Sequence, residues 1–312
     1  MPQPTAVSIG NFDGVHLGHV ALMRAARGQV GPDGRVVAIA FDPHPASVLP
    51  GRTAPPPLTT FDRRAALLRQ AGADEVVRLE PTLDVLRLHP ENFLALVVER
   101  FSPGVFVEGQ DFRFGRNRFG DITLLQAAGD VMGFSVLTVP SVDVELTDQT
   151  IVRASSTLAR WLLNHGRIED VAAVLGRPLR LKGPVQPGDQ RGRTIGFPTA
   201  NVGVTTALPG DGVYAARATL PDGSSRPAAV NIGRRPTFDN TRHLVEACLL
   251  DDRARPAPLD VGLYDWTLEL DLLAWLRDQV RFPSLEALTG QLERDCARAL
   301  DLCALTTGEP IA

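Results

Sequence analysis

Lysine is almost missing from this chain. Of 32 basic residues in 312, Lys182 is the single lysine and 31 are arginine. No Gly-x-x-x-x-Gly-Lys-Ser/Thr loop can be drawn through it, which excludes a P-loop kinase. Schiff-base chemistry is left with one possible residue. Phosphate, if bound, must be held by arginine, histidine, backbone N–H groups or a metal. Cysteine is scarce as well. Cys248, Cys296 and Cys303 are the three present, with no Cys-x-x-Cys spacing, and they read as buried reduced thiols. Positive charge is not in surplus: the net charge is −4, so no basic footprint for nucleic acid is expected. No apolar run reaches membrane-span length and a strand pattern begins by Val7, so the expectation is a cytoplasmic protein without a membrane segment.

What is present is enough apolar chain for two ordinary domains, with 44% hydrophobic residues. The N-terminal one opens on a short β-branched run, residues 7–9, that predicts a buried strand. Gly10, Asn11, Asp13 and Gly14 then turn the chain around Phe12. Val20, Leu22, Met23 and Ala26 follow at near-helical spacing. His16 and His19 thus fall on one face of the first helical turn. A helix start carries free N–H groups and the positive end of the macrodipole. Two imidazoles added there make a site for phosphate oxygens, and Gly18 leaves room for a ligand to approach the backbone. By residues alone this also fits a strand–turn–helix with two surface histidines. Metal ligation lacks a Glu-rich or Cys-rich partner nearby. His16-Leu-Gly-His19 looks like the His-x-Gly-His signature of nucleotidylyltransferases, which holds ATP during attack on its α-phosphate.

Residues 35–41 predict a second buried strand, with Asp42-Pro-His-Pro45 at its C-terminal end, where open α/β sheets bind ligands. His44 fits a site residue or a loop histidine equally. Residues 50–60 are Pro-rich and predict a loop or flap. Helices are expected at 61–71, 92–100 and 123–129, and strands at 75–79, 104–107 and 134–139. This alternation indicates a doubly wound, Rossmann-like domain. Asp111, in the loop after 104–107, fits either a nucleotide contact or a turn-capping aspartate. Ser155, Ser156 and Thr157 begin a helix with Arg160 one turn in. Such hydroxyls plus an arginine can hold a triphosphate, or simply cap a helix. A helix at 168–175 precedes Gly176-Arg-Pro178, the expected domain boundary: residues 1–176 and 177–312.

From Lys182 the pattern changes. Gly188, Gly192 and Gly196 space out a Gly-rich loop that also carries Arg193, Phe197 and Pro198, suited to close approach of phosphates. Thr199 and Asn201 are two apart, so on an extended segment both face one way. Their oxygens are hard donors suited to Mg²⁺ beside substrate phosphates, although Pro198-Thr-Ala-Asn201 also reads as a plain strand entry. Short strands at 212–217, 227–231, 244–250 and 268–273 predict a small antiparallel β-barrel. Glu246 is the lone carboxylate in an otherwise apolar strand, a costly place unless it is paired or functional. A C-terminal helix is expected after its N-cap Ser284, with Leu285, Leu288, Leu292 and Cys296 inward.

Together these segments resemble the bacterial bifunctional riboflavin kinase/FAD synthetase family over almost the whole chain. The resemblance rests on Gly10 to His19, Phe41-Asp-Pro-His-Pro45, Gly109 to Gly115 and Ser155-Ser-Thr157 with Arg160 in the first half. In the second it rests on Gly192 to Asn201, the Asn231-Ile-Gly-Arg-Arg-Pro-Thr-Phe238 segment, Glu246, Leu276-Arg277 and Phe282. It implies two reactions. In one, ATP phosphorylates riboflavin to FMN, with Thr199 and Asn201 holding Mg²⁺ and phosphate and Glu246 accepting the hydroxyl proton. In the other, FMN is adenylylated to FAD with release of pyrophosphate, His16 and His19 stabilising phosphate charge, His44 lying against flavin and Asp111 near adenosine. The family's usual Leu-Tyr-Gly is Leu263-Tyr-Asp265 here, the loop at 251–262 is longer and Pro-rich, and Arg116 stands where lysine is frequent. Two other readings are an adenylyltransferase for a different phosphorylated acceptor with a degenerate barrel, and a non-catalytic flavin sensor. The intact His16/His19 and Thr199/Asn201/Glu246 sets speak against the sensor.

Overall fold

The computed structural model of the chain describes residues 3–188, 191–236, 241–257 and 264–305. Expectations for Asp189, Gln190, Thr237, Phe238 and residues 258–263 lie outside the described residues. Two compact units are present: residues 1–144 with 151–156, and residues 145–150 with 157–312.

The first unit is built on five parallel strands: β1 (Thr5–Gly10), β2 (Arg35–Phe41), β3 (Glu75–Leu79), β4 (Val105–Gly109) and β5 (Ser135–Val139). Their order is β3-β2-β1-β4-β5. β1 and β2 are apolar on both faces because both faces are covered. On one face Ala6, Val36 and Ala38 meet Met23 and Ala26 of α1 (Leu17–Val30) and Leu67 and Leu68 of α2 (Phe61–Gln70). A short α3 (Leu83–Arg87), unforeseen in the sequence, precedes α4 (Pro90–Phe101). On the other face Val7, Val37 and Ile39 meet Phe93, Leu94 and Val97 of α4 and Leu125 of α5 (Ile122–Met132). The order reverses between β1 and β4, the switch point at which open α/β sheets bind ligands. Two short strands, β6 (Asp143–Glu145) and β7 (Ile151–Arg153), were also unforeseen.

From Thr157 on, the second unit takes in α6 (Ser156–Asn164) and α7 (Ile168–Leu175). A closed antiparallel barrel follows, made of β8 (Leu179–Gln186), β9 (Ala200–Val202), β10 (Gly212–Thr219), β11 (Ser225–Pro236), β12 (Thr241–Leu249) and β13 (Thr267–Arg277). Its cyclic order is β10-β11-β12-β9-β8-β13. One turn, α8 (Arg191–Thr194), interrupts the loop between β8 and β9. The Gly-rich loop therefore begins later than expected: Lys182 and Gly183 belong to β8, where burial alternates and the Lys182 ammonium pairs with Glu269 at 2.6 Å. α7 packs on β8 and β13. The compact units consequently divide before Thr157, whereas the sequence boundary falls at Gly176.

Helix α9 (Leu285–Leu305) closes the chain, capped by the Ser284 hydroxyl, which accepts from the Ala287 N–H at 3.2 Å. Its buried positions are Asp295, Cys296, Ala299 and Cys303. Leu285 is 55% exposed and is not part of the inner stripe. Cys296 and Ala299 pack against Val213, Ala215, Ala229 and Cys248. That contact explains why β12 is apolar on both sides. One side fills the barrel and the other meets the helix.

Candidate active sites

In the first unit β1 delivers the chain into two left-handed residues, Phe12 (φ 48°) and Val15 (φ 44°), both buried. Such φ values are costly for residues with a Cβ and persist only where surroundings hold them. The Asp13 carboxylate does the holding. It accepts from the backbone N–H groups of Leu58 (2.9 Å) and Thr59 (3.2 Å), and the Thr59 hydroxyl accepts in turn from the Gly14 N–H at 3.2 Å. This ties the end of the Pro-rich loop to the turn. Asp13 is 4% exposed and Phe12 1%, so their side chains serve as the frame of the turn, which Gly14 joins at φ 77°. Arg64, equally buried, donates to the carbonyls of Asn11 (3.0 Å) and Phe41 (2.9 Å), cross-tying the ends of β1 and β2. Nothing in the local sequence of α2 announces that role.

His16 is the N-cap of α1, and its Nδ1 accepts from the Gly18 N–H at 3.1 Å. Accepting there requires an unprotonated Nδ1, so the ring proton sits on Nε2. A Cβ on residue 18 would lie 3.0 Å from the His16 ring. The room at Gly18 is thus taken by His16 itself, not by a ligand. His19 lies one turn on, its ring centroid 3.7 Å from that of His16 and 5.2 Å from that of Phe12. The histidines therefore form one stacked pair at a helix N-terminus. The Ser156 hydroxyl donates to the Asp13 carbonyl at 2.7 Å, bringing Ser155 and Ser156 to the same turn. Thr157 and Arg160 follow on α6, within the second compact unit.

A cavity of about 1030 Å³ opens at the C-terminal ends of these strands, and Gly10, Asn11, His44 and Asp111 line it. His44 caps a single turn, Pro45–Ser47, with Nδ1 accepting from the Ala46 N–H at 3.1 Å, which again leaves the proton on Nε2. Asp111 pairs with Arg153 at 2.9 Å. Beneath lies Glu108, 2% exposed, one oxygen accepting from the Ile9 N–H at 2.7 Å. Burial pushes its carboxyl well above the ordinary value of 4.5, and the Ile9 bond opposes this only in part. Glu108 escaped the sequence reading because its burial depends on β1 and β4 being neighbours.

In the second unit register assembles the site. Asn231 of β11 faces Glu246 of β12, which faces Asn201 of β9. The Asn231 amide donates to Glu246 at 3.1 Å, and the Gln279 amide donates to the Asn231 carbonyl oxygen at 2.7 Å. Thr199, Asn201, Asn231, Glu246 and Arg277 line a cavity of about 630 Å³, together with Gly192 and Phe197. A Cβ at Gly188 would come within 2.0 Å of the Asn201 side chain, and one at Gly192 within 2.1 Å of the Phe197 carbonyl. These glycines make room for the loop's own atoms. Arg193 and Gly196 are exposed and, with Pro198, are absent from the described lining; Gly196 supplies a turn at φ 84°. Arg277 forks onto Asp295 at 2.7 and 2.9 Å and stacks over Phe282 at 5.4 Å. Asp295 is 1% exposed and also accepts from Gln291 at 2.8 Å. Asn231, Gln279 and Asp295 were not among the expected site residues. Asn231 stood in a quoted motif, which was its signal; Gln279 and Asp295 had none.

Thr199 and Asn201 present a hydroxyl and an amide oxygen to one cavity. Among the described residues there is no group of three or more His, Cys, Asp or Glu that could hold a metal ion. A cation beside Thr199 and Asn201 would rely on substrate phosphates for further ligands, which suits Mg²⁺.

The family model described as FAD synthetase matches residues 1–156, and that described as riboflavin kinase matches residues 175–303. The chain is 34% identical over 313 residues to the "Bifunctional riboflavin kinase/FMN adenylyltransferase" of Escherichia coli, covering 98% of this chain and 95% of that protein. It is 36% identical over 304 residues to the protein of the same name from Pseudomonas fluorescens, covering 95% and 92%. Among solved structures, one titled "Crystal Structure of Macrolide-efflux Protein from Streptococcus pneumoniae" matches with TM-score 0.82 and 28% identity, covering 95% of this chain and 93% of that one. Among the described residues here, no helix is long and apolar enough to cross a membrane.

Proposed function

This chain belongs to the bifunctional riboflavin kinase/FMN adenylyltransferase family, and from that membership we propose how its residues divide the two reactions. It is a transferase that converts riboflavin to FMN and FMN to FAD. The observation that carries the assignment of parts is one cavity in each unit: Thr199, Asn201, Glu246 and Arg277 line that of the barrel, and Gly10, Asn11, His44 and Asp111 line that of the first unit.

Phosphorylation belongs to the barrel. Glu246, oriented by Asn231, takes the proton of the riboflavin 5′-hydroxyl as that oxygen attacks the γ-phosphate of ATP. Arg277, fixed by Asp295, presents charge to the same cavity. Glycines 188 and 192 let the loop backbone close on the phosphates. Thr199 and Asn201 would hold Mg²⁺, which when bound neutralises charge on the phosphates.

Adenylylation belongs to the first unit. His16 and His19 direct N–H donors at the phosphates of ATP where negative charge develops, and no covalent intermediate on the protein is needed. Ser155 and Ser156 support the phosphates, Asp111 the nucleoside side, and His44 the flavin side of the cavity. The enzyme acts as a cytoplasmic protein on small molecules, with neither nucleic acid nor membrane as partner.

The functional boundary is proposed at Gly176, with residues 1–176 adenylylating and 177–312 phosphorylating. Product analysis tests both points. Full-length protein given riboflavin, ATP and Mg²⁺ forms FMN and then FAD, and a fragment of residues 177–312 stops at FMN. Adenylylation of FMN by that fragment, or a folded fragment that forms no FMN, refutes the division.

A further inference from the structure

Phosphoryl transfer uses no thiol, yet two cysteines line the barrel cavity with Glu246 and Arg277. Cys248 follows Glu246 by two residues on β12 and so shares its face of the strand. Cys296 follows Asp295, the carboxylate that anchors Arg277, on α9. The two sit in one apolar cluster between the barrel wall and the helix. Each thiol is the first influence on the other's ionisation, so the two act on one another directly. The third thiol, Cys303, is elsewhere and donates to the Ala216 carbonyl at 3.2 Å.

We propose that Cys248 and Cys296 are a redox-sensitive dithiol, which a hydroperoxide closes to a disulfide and thereby disables the barrel site. The inference rests on the reading of that cavity as the riboflavin-phosphorylating site. Their mutual interaction lowers Cys296 below the ordinary thiol value, while that interaction and burial raise Cys248. Cys296, the lowered thiol, serves as the nucleophile and Cys248 as the resolving thiol; the shared cavity brings the two together whichever ionises first. The Cys296 thiolate attacks one peroxide oxygen, the O–O bond breaks, and the departing hydroxide or alkoxide takes up a proton as water or alcohol. Cys296 is left as a sulfenic acid. The Cys248 sulfur then attacks the Cys296 sulfur. The S–S bond forms, the S–O bond breaks, and the Cys248 proton leaves with the hydroxyl as water. Two thiols supply the two electrons that reduce one hydroperoxide. The new bond ties β12 to α9 directly beside Glu246 and Arg277, so both shift together.

The test treats full-length protein with hydrogen peroxide, quenches it, and measures intact mass, cross-linked peptides and the two half-reactions separately. Expected are a loss of two hydrogens, a Cys248–Cys296 cross-link, and riboflavin phosphorylation down by about 10²-fold, the cost of a misplaced site residue. FMN adenylylation keeps its rate, and a dithiol reductant restores phosphorylation. Cys303→Ala keeps the response. Cys248→Ser and Cys296→Ser each lose it, judged by the ratio of treated to untreated rate within each variant. Free thiols at both positions after treatment, a cross-link through Cys303, or a Cys248–Cys296 cross-link with undiminished phosphorylation would each overturn the proposal. A reduced protein unable to phosphorylate riboflavin would overturn the functional reading instead, and the cross-link map would still decide the dithiol.

Discussion

Replacing Glu246 by glutamine separates catalysis from folding more cleanly than any other change in the barrel. Glutamine keeps the length and an oxygen that accepts the Asn231 amide, now at 3.1 Å. What is lost in the fold is the difference between a charge-assisted and a neutral hydrogen bond at a half-buried position, about 1 kcal/mol. What is lost in the reaction is the base. A positioned base contributes about 10²–10⁴ in rate, or roughly 3–5 kcal/mol of transition-state stabilisation. A loose phosphoryl-transfer transition state draws less on it, so the loss is expected toward the lower end, about 10². The assay is initial rates of FMN formation from riboflavin and of FAD formation from supplied FMN, with circular dichroism and a urea midpoint on the same sample. FMN formation should collapse while FAD formation keeps its rate. A folded variant that makes FMN at the wild-type rate would refute Glu246 as the base. Equal loss of both activities would refute the division between two sites.

The reciprocal change is His19→Ala, which removes one donor from the stacked pair; FAD formation from FMN should fall by roughly 10²–10³ while riboflavin phosphorylation persists. Gly188→Ala puts a methyl where the Asn201 side chain lies, 2.0 Å away. Riboflavin phosphorylation should fall by about 10²-fold, read as kcat/KM, with adenylylation unchanged. Glu108→Gln tests the buried carboxyl. Its folded value lies above the unfolded 4.5, so the folded state holds the proton longer, and wild-type stability falls as pH rises from 4.5 through the folded value. The variant should lack that decline and be the more stable protein at pH above neutrality, measured by urea unfolding across pH; parallel pH profiles would refute the assignment.

Much of this molecule is legible in one dimension because its signals are local. The runs at residues 5–10 and 35–41 are mostly apolar, the mark of strands covered on both faces. His16 at the helix start follows from the glycine punctuation before it. The failures share a cause, which is partners far away in sequence. Phe12 and Asp13 belong to a motif that does not say which way its turn residues point. The left-handed φ at Phe12 and Val15, held by Leu58 and Thr59 some 45 residues on, turns them inward. β8 was hidden by Gly183 and Pro184, whose loop preference is overridden by pairing with β13 and β9. Asp295 carried no local signal, because the Arg277 it anchors comes from β13. Asp265 needed no glycine after all: it takes φ 67° itself, as aspartate does more readily than most residues.

The cap on α1 has a further consequence. The ring of His16 meets the helix through Nδ1 and solvent or ligand through Nε2, so one heterocycle serves the helix end and the phosphate site at once. In a protein with 31 arginines, a guanidinium here would have brought more charge but could not accept from Gly18. The arrangement at this position thus favours direction over charge. A neutral N–H held at a fixed angle discriminates by where an oxygen sits, and ionic strength barely weakens it. A cation's pull would be shared with every anion nearby and screened within about 8 Å at physiological salt. Recognition of the nucleotide at this end of the chain should therefore keep its specificity in concentrated electrolyte, where arginine-based grip fades first.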